Sequence, residues 1–437
     1  MKLAVVGAGW AGLAAAVDLK AYGHEVSVFE AAHTPGGRAR RVARLTWGTP
    51  LDNGQHILLG AYTETLALMR QLDRDVDQML WRLPLQWGAF DGAVTLRAPL
   101  LPAPFHAMWA LLTARGLTVT DRWAATRMMM HVRKLAIDTI PTDMTVAKWL
   151  ANLRQPPSLI GALWSPLCLA ALNTPIVMAS AQLYARVLRD SLSTTREASD
   201  LLLSRTDLSA VWPDAAARHV RMRYGSTVRT LHWGDDTVVL NGEEFDAAVL
   251  AIPPSAVARL LDPYARTPSA AGLLKQLQAF DYMPIATLVL RLAQPYRLPM
   301  PMMMLREDPA RGHDGQWVLD RTRMLDKSNG GELAIVVSAA QGLSERDRDQ
   351  TVQHLIEKLR EQAPRHLPLP AVIASELFIE KRATLAALPG LARPANRTPW
   401  PRLALAGDWT DTGYPGVLEG AVRSGRQAAR LFKVRPG

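Results

Sequence analysis

Gly7, Gly9 and Gly12 stand in the pattern G-x-G-x-x-G, and an acidic residue, Glu30, follows 23 positions after the first glycine. That spacing suits the phosphates and ribose of a dinucleotide. Gly7 permits a tight turn, Gly9 lets backbone approach a pyrophosphate, and Gly12 lets a helix pack close to a strand. A helix opening here adds free N–H groups and partial positive charge, and Glu30 would accept hydrogen bonds from the ribose. Gly36-Gly37-Arg38 is a second glycine turn with a guanidinium beside it, which suits a second pass of a long, extended cofactor with two phosphates. The two turns together favour FAD over NAD. Near the other end, Gly407-Asp408 is placed to bond the ribityl or pyrophosphate region, and a helix starting near Val417 would direct its N-terminus at a flavin carbonyl. Gly416 also reads as an ordinary turn glycine, and Glu419 as a first-turn helix charge.

These residues need elements to hold them. Residues 2–6 are an apolar, β-rich run ahead of the glycine turn, residues 13–21 are Ala-rich and helical, and residues 25–29 alternate as a strand, which makes a βαβ unit. From about residue 61 to 207 the pattern changes to helices rich in Leu, Met and Trp. Strands are predicted again at 220–222, 227–232, 237–240 and 247–252, then at 285–292 and 333–338. A helix is predicted over 344–361, a buried strand over 403–406 and a closing helix over 417–432. The fold class is therefore α/β: a glutathione-reductase-like FAD-binding Rossmann domain with an inserted, discontinuous α+β substrate domain. We assign residues 1–60, 208–275 and 385–437 to the first and residues 61–207 and 276–384 to the second.

Composition narrows the function. The 437 residues are 49% apolar and 21% charged, with a formal charge of +10, which describes an ordered globular protein and excludes a disordered one. The one cysteine, Cys168, cannot form an internal disulfide, so a reducing cytoplasm fits the chain. Residues 2–6 run directly into the glycine turn and belong to the fold rather than to a secretion signal. The uncharged span between Arg154 and Arg186 is long enough for a bilayer, yet Pro156, Pro157, Pro166 and Pro175 break it into buried structure. The histidines show no metal-ligand spacing and no G-x-S-x-G elbow occurs, so no metal is predicted and a serine hydrolase is excluded. Basic residues are scattered without interleaved aromatics, which excludes nucleic acid as a partner.

Gly7 to Gly12, Glu30, Gly36-Gly37-Arg38, the Ala251-Ile252-Pro253 strand end and Gly407-Asp408 with Leu418-Glu419-Gly420-Ala421 resemble the flavin-containing amine oxidase and phytoene desaturase superfamily. Within it, residues 52–60, 164–175, 181–190 and 405–413 are similar to the squalene-associated FAD enzymes of bacterial hopanoid synthesis. The resemblance implies non-covalent FAD held by Gly7, Gly9, Trp10, Ala11, Gly12, Glu30, Gly36, Gly37, Arg38, Gly54, Val228, Gly407, Asp408, Gly416 and Val417. It implies a long-chain isoprenoid substrate, hydroxysqualene, whose hydroxyl leaves as water while a hydride from reduced FAD reaches carbon. Residues 155–185 and 298–305 would supply a dry apolar wall. The turn after Asp52-Asn53-Gly54 would pass beside the flavin ring, so His56 is a candidate proton donor and Asp52 its orienting partner. Tyr184, Tyr414 and Asp320 are alternative donors, each also readable as core.

Three other readings compete. A carotenoid-type desaturase would run the flavin in the opposite direction. An amine oxidase would place an aromatic residue where Val417 stands, and a flavin-free isoprenoid escort would be colourless. The electron donor is not identified, because only one dinucleotide fingerprint is present. The basic excess and the apolar residues 102–112 predict peripheral contact with an anionic membrane, at the inner face of the cell membrane.

Overall fold

The computed structural model describes residues 1–43, 47–192, 194–327 and 330–433. A five-stranded parallel sheet runs in the order Arg221–Arg223, Glu25–Phe29, Lys2–Val6, Ala247–Leu250, Leu403–Leu405. The register pairs Val6 with Phe29 on one side and with Leu250 on the other, so three strand ends coincide where the glycine turn begins. Both faces of this sheet are covered, as parallel strands require. Leu3 and Val5 pack towards the helices Trp10–Ala21 and Leu418–Arg430. Ala4 and Val6 pack towards a three-stranded meander, Leu231–Trp233, Val238–Leu240 and Glu243–Phe245.

The meander's first strand is shorter than the 227–232 run predicted. The Asn241 side chain accepts the N–H groups of Arg229 and Thr230 and donates to the carbonyl of Thr227, so that backbone is satisfied without a ladder partner. A similar local effect shortens the helix predicted from residue 344. Asp347 accepts the Gln350 N–H at 2.9 Å, and the helix begins at Arg348.

The second sheet is antiparallel, in the order Met302–Met304, Trp317–Asp320, Glu332–Val337, Tyr282–Leu292, Val372–Leu385. Ala286, Leu288 and Leu290 face the helix Arg348–Gln362, where Leu355 and Leu359 meet them. The alternate residues Ile285 and Val289 face a helical layer containing Trp149, Trp164 and Tyr184. The 14-residue strand Val372–Leu385 is absent from the sequence reading. Its Glu376, Glu380, Lys381 and Arg382 interrupt any apolar alternation, and it becomes a strand only because Tyr282–Leu292 supplies a long edge to pair with.

The stretch 61–207 is not purely helical. Leu201–Ser204 pairs with Leu80–Leu83 on one side and with Ile57–Leu59 on the other, and Gln86–Gly88 pairs with Thr95–Arg97. Runs of three or four residues carry too little periodicity to register as strands. Between residues 154 and 186 the chain divides into Pro157–Leu159, one π turn at Ile160–Trp164, Ser165–Leu172 and the start of Ala181–Leu192. Among the described residues, no helix is long and apolar enough to cross a membrane.

Candidate functional site

The two glycine turns meet at the end of the parallel sheet. Gly36 N–H donates to the Ala8 carbonyl at 2.8 Å, and Gly9 and Gly36 face each other as a parallel bridge. A Cβ on Gly12 would lie 1.9 Å from the Gly7 carbonyl oxygen, and one on Gly37 would lie 2.9 Å from the Gly9 Cα. Only bare backbone fits between these turns. Trp10, buried at the start of the helix, donates its indole N–H to Ala39 O at 3.1 Å and so fixes the second turn against the first.

The N-terminus of helix Trp10–Ala21 has no side-chain cap and no acid in its first turn. The N–H groups of Trp10, Ala11 and Gly12 therefore lack i−4 partners and are free to bind an anion. The closing helix Leu418–Arg430 begins at Val417, again without a side-chain cap. Helix Val119–Lys134 contrasts with both. Its Thr118 and Asp121 form a reciprocal capping box that consumes the same kind of donor.

Glu30 lies at the end of its strand, half-buried, with one oxygen accepting Ala8 N–H at 2.7 Å and the other Ala32 N–H at 2.8 Å. Each carboxylate oxygen has a second lone pair left for a diol. Val228 stands behind, buried beside Phe29, Leu231 and Leu240. Together these groups fit FAD: open backbone and uncapped amides for a pyrophosphate, a carboxylate for the ribose, and an apolar backing.

Arg38 links the cradle to the rest of the molecule. Its guanidinium bonds Asp408 Oδ1 at 2.5 Å and Ala383 O at 2.7 Å. Asn53 donates to the Arg38 carbonyl at 3.2 Å and to Glu380 Oε2 at 3.0 Å. The structure thus brings together Arg38, Asp408 and the turn carrying Gly54, as residues 36–38, 52–56 and 407–408 suggest. It adds Glu380 and Ala383 from the strand that the sequence reading lacked. It also adds Arg393, which donates to the carbonyls of Asp408 at 3.2 Å and Tyr414 at 2.6 Å. Asn53 was legible as part of its motif, whereas Glu380 and Arg393 carry no local signal.

His56 sits on that turn with Nδ1 donating to Gly54 O at 3.0 Å, which leaves Nε2 as an acceptor. Desolvation lowers the imidazole pKa, with the Arg38 charge adding to it and the Gly54 carbonyl opposing. Its neutral form is favoured. Asp52 is not the orienting partner of His56. It is buried with Oδ1 on the Leu208 N–H at 2.9 Å, because that amide begins a short helix and needs an acceptor. Burial pushes the Asp52 carboxyl up to about 7. Asp207 adds to the rise, while the Leu208 amide, Arg321 and Arg41 oppose it.

The other donor candidates separate. Tyr184 lies in the apolar layer and is fully buried, with its hydroxyl donating to Trp164 O at 3.0 Å, the carbonyl at the end of the π turn. Burial raises its pKa well above the ordinary value. Asp320 caps its own short helix through Arg323 N–H and also accepts from Leu298 N–H. Tyr414 belongs to the loop of Asp408. Its ring lies 4.1 Å from the Arg423 guanidinium carbon, and its hydroxyl makes no hydrogen bond among the described residues. Burial raises its pKa to about 12, so the phenol keeps its proton at neutral pH. Gly416 has only ordinary contacts around it.

The wall expected from 298–305 divides between two cores. Met302 and Met304 face the Trp-rich layer, while Met303, between them on the strand, faces the opposite side because strand residues alternate faces; Leu298, Met300 and Leu305, outside the strand, pack on that opposite side as well. Residues 155–185 contribute more fully, through Leu159, Leu163, Trp164, Cys168 and Leu172. Asn173 ends that segment in a left-handed conformation, φ 48°. Its amide donates to Met283 O, Pro284 O and Thr384 Oγ1 and accepts Ala339 N–H at 2.7 Å, which locks the helical layer onto the second sheet.

A family model described as flavin containing amine oxidoreductase matches residues 10–431. The chain is 29% identical to hydroxysqualene dehydroxylase of Rhodopseudomonas palustris over 98% of this chain and 97% of that one. It is 24% identical to a probable zeta-carotene desaturase of Synechococcus elongatus over 99% and 98%. Among solved structures, an oxidoreductase from Methanosarcina mazei aligns with a TM-score of 0.74 at 17% identity, covering 98% of this chain and all of that one.

Proposed function

The chain belongs to the flavin-containing amine oxidoreductase family and is an FAD-dependent oxidoreductase, and from that premise we propose that it removes the hydroxyl of hydroxysqualene reductively to give squalene. The observation that carries this reading is the similarity to the Rhodopseudomonas palustris enzyme along almost the whole of both chains. The geometry agrees in one particular. Within five residues the chain passes from Asn53, which holds Arg38, to Ile57, which packs against the Trp-rich apolar layer. A polar turn at the border of the cofactor cradle and an apolar wall suits an alcohol on a long hydrocarbon.

FAD, bound and reduced, would supply the hydride that replaces the hydroxyl. The chain must hold the alcohol, exclude water and provide the proton with which the oxygen departs. His56, neutral and with Nε2 unprotonated, is suited to accept a hydrogen bond from the alcohol and orient it. Tyr414 is the better proton donor. It keeps its proton at neutral pH, and Arg423 over its ring stabilises the phenolate as that proton leaves. Arg423 is itself held by Glu419, which is fully buried and also accepts the N–H groups of Glu64 and Thr65. Tyr184, with its hydroxyl already donated, keeps a structural role.

The test is anaerobic. The photoreduced enzyme is mixed with hydroxysqualene while flavin absorbance and products are followed. Reoxidation matched one-to-one by squalene is expected; a flavin that stays reduced overturns the reading. A second reading, desaturation of a carotenoid precursor, is favoured by the full-length match to the Synechococcus elongatus protein. It predicts reduction of oxidised flavin by a polyene, with a more conjugated product.

A further inference from the structure

Two neighbouring helices of the apolar layer leave large hydrophobic side chains in solvent. In Phe105–Leu112, His106, Ala107, Ala110 and Leu111 are buried, while Phe105 and Trp109, four residues apart on one side, are 58% and 54% exposed. Val119–Lys134 packs against it and buries Ala124, Ala125, Met128 and Met129. Its Val119, Trp123, Arg127 and Met130 fall at intervals of four, four and three, a single helical face. Trp123 is 62% exposed and Val119 67%. Leu100, just ahead of the first helix, is 80% exposed. Scattered exposed hydrophobics are ordinary on a surface, but here exposed aromatic residues stand on two helices that pack against each other.

The charge along this stretch is mostly positive. Residues 97–156 contain eight Lys and Arg against three Asp. One of those acids, Asp121, is turned inward into the Thr118 capping box and is 2% exposed. Arg127 and Arg154 line an open cleft with Trp123 and Pro156. Aromatic and aliphatic side chains at the centre with guanidinium groups beside them match a bilayer interface, where rings sit among headgroups and arginines meet phosphates. A second copy of the chain docking on the same face would bring cationic rims together.

We propose that the face formed by Phe105, Trp109, Val119 and Trp123, with Arg127 and Arg154, seats the protein on a membrane surface rich in anionic lipid. This inference is independent of which substrate the enzyme reduces. It extends the predicted contact at 102–112 to a second helix and to named charges.

The FAD-loaded full chain is floated with vesicles of phosphatidylcholine alone and of phosphatidylcholine with phosphatidylglycerol, while tryptophan emission is recorded. Binding to the anionic vesicles is expected, with a blue shift, weaker binding to neutral vesicles and release by salt. Trp109→Ser with Trp123→Ser, and separately Arg127→Glu with Arg154→Glu, should each weaken binding at least about tenfold. Because all four side chains lie at the surface, flavin absorbance should be retained. A parent protein that ignores anionic vesicles, or double variants that bind as the parent does, overturns the proposal. So does a dimer in sedimentation equilibrium that the tryptophan variant dissolves without any vesicle binding.

Discussion

The start of helix Trp10–Ala21 and the start of helix Val119–Lys134 solve one problem in opposite ways. Each has first-turn amides without partners. At Val119 the Thr118–Asp121 box takes up the Asp121 amide and the Thr118 amide ahead of it, so side chains close that helix end. At Trp10 a glycine precedes the helix, no side chain caps it, and the amides stay available beside a second glycine turn. The same contrast extends to the regions these helices belong to. The cofactor cradle is built from backbone, and side chains there are mostly obstacles. The apolar layer is built from side chains locked by a few polar knots such as Asn173. Helix N-termini without a side-chain cap recur in this protein, at Thr63–Gln71, Phe105–Leu112 and Pro254–Leu261 among others, so such an end points to a ligand only where a neighbouring surface, here the Gly36–Gly37 turn, leaves it open.

The contrast can be broken on the backbone side first. Gly12→Val puts a branched side chain where even a Cβ would sit 1.9 Å from the Gly7 carbonyl oxygen. The expected result is protein without flavin and mostly insoluble, read from the absorbance ratio of flavin to protein. On the side-chain side, Asn173→Ala leaves the Ala339 amide without its acceptor and takes the side-chain donor from the Met283 carbonyl, while the Pro284 carbonyl keeps the Ala340 N–H. It should cost roughly 2 kcal/mol of stability, seen in thermal unfolding, since each unmatched buried group costs about 1 kcal/mol or more. Flavin content at low temperature should survive.

Tyr414→Phe tests the proposed proton donor. Turnover of reduced enzyme should fall about a hundredfold, with binding of the alcohol nearly unchanged, as expected for loss of a proton donor. If Tyr184→Phe costs as much turnover at equal flavin content, the assignment of roles is reversed.

Asp52 sharpens the comparison through pH. Its carboxyl is raised from an ordinary 3.8 to about 7, chiefly by burial. The folded state therefore keeps a proton that the unfolded chain has already lost. Its contribution is complete below about pH 4 and is lost as pH rises through about 7. Asp52→Asn removes that loss. The stability of the variant relative to the parent should rise from pH 4 to 7, by roughly 2 to 4 kcal/mol, and level off above. A flat difference across that range would mean that Asp52 is ionised throughout. The smallest effect belongs to the capped helix: Thr118→Ala should cost about 1 kcal/mol and leave flavin binding untouched.

Much of the cradle was legible before any coordinates. Gly7, Gly9, Gly12, Glu30, Gly36, Gly37, Arg38 and Asp408 announce themselves because backbone-made sites need glycines at set spacings next to a strand and a helix. The roles of single side chains were not. Asp52 looked like a partner for His56 and instead serves Leu208, 156 positions away in the chain. Tyr184 and Tyr414 looked equivalent as phenols, and only their surroundings separate them. The strand Val372–Leu385, which supplies Ala383 to Arg38 and Glu380 to Asn53, shows no period of its own.

The sequence alone determined the βαβ unit, the kind of cofactor it can cradle and where along the chain the glycine turns lie. Those are local properties, since φ angles, helix starts and strand periods depend on near neighbours. Tertiary structure alone decided which acid meets which amide, which methionines face the Trp-rich layer, and which helical faces stay in water. Those depend on contacts between distant segments, where burial and pairing energies overrule what any one residue prefers.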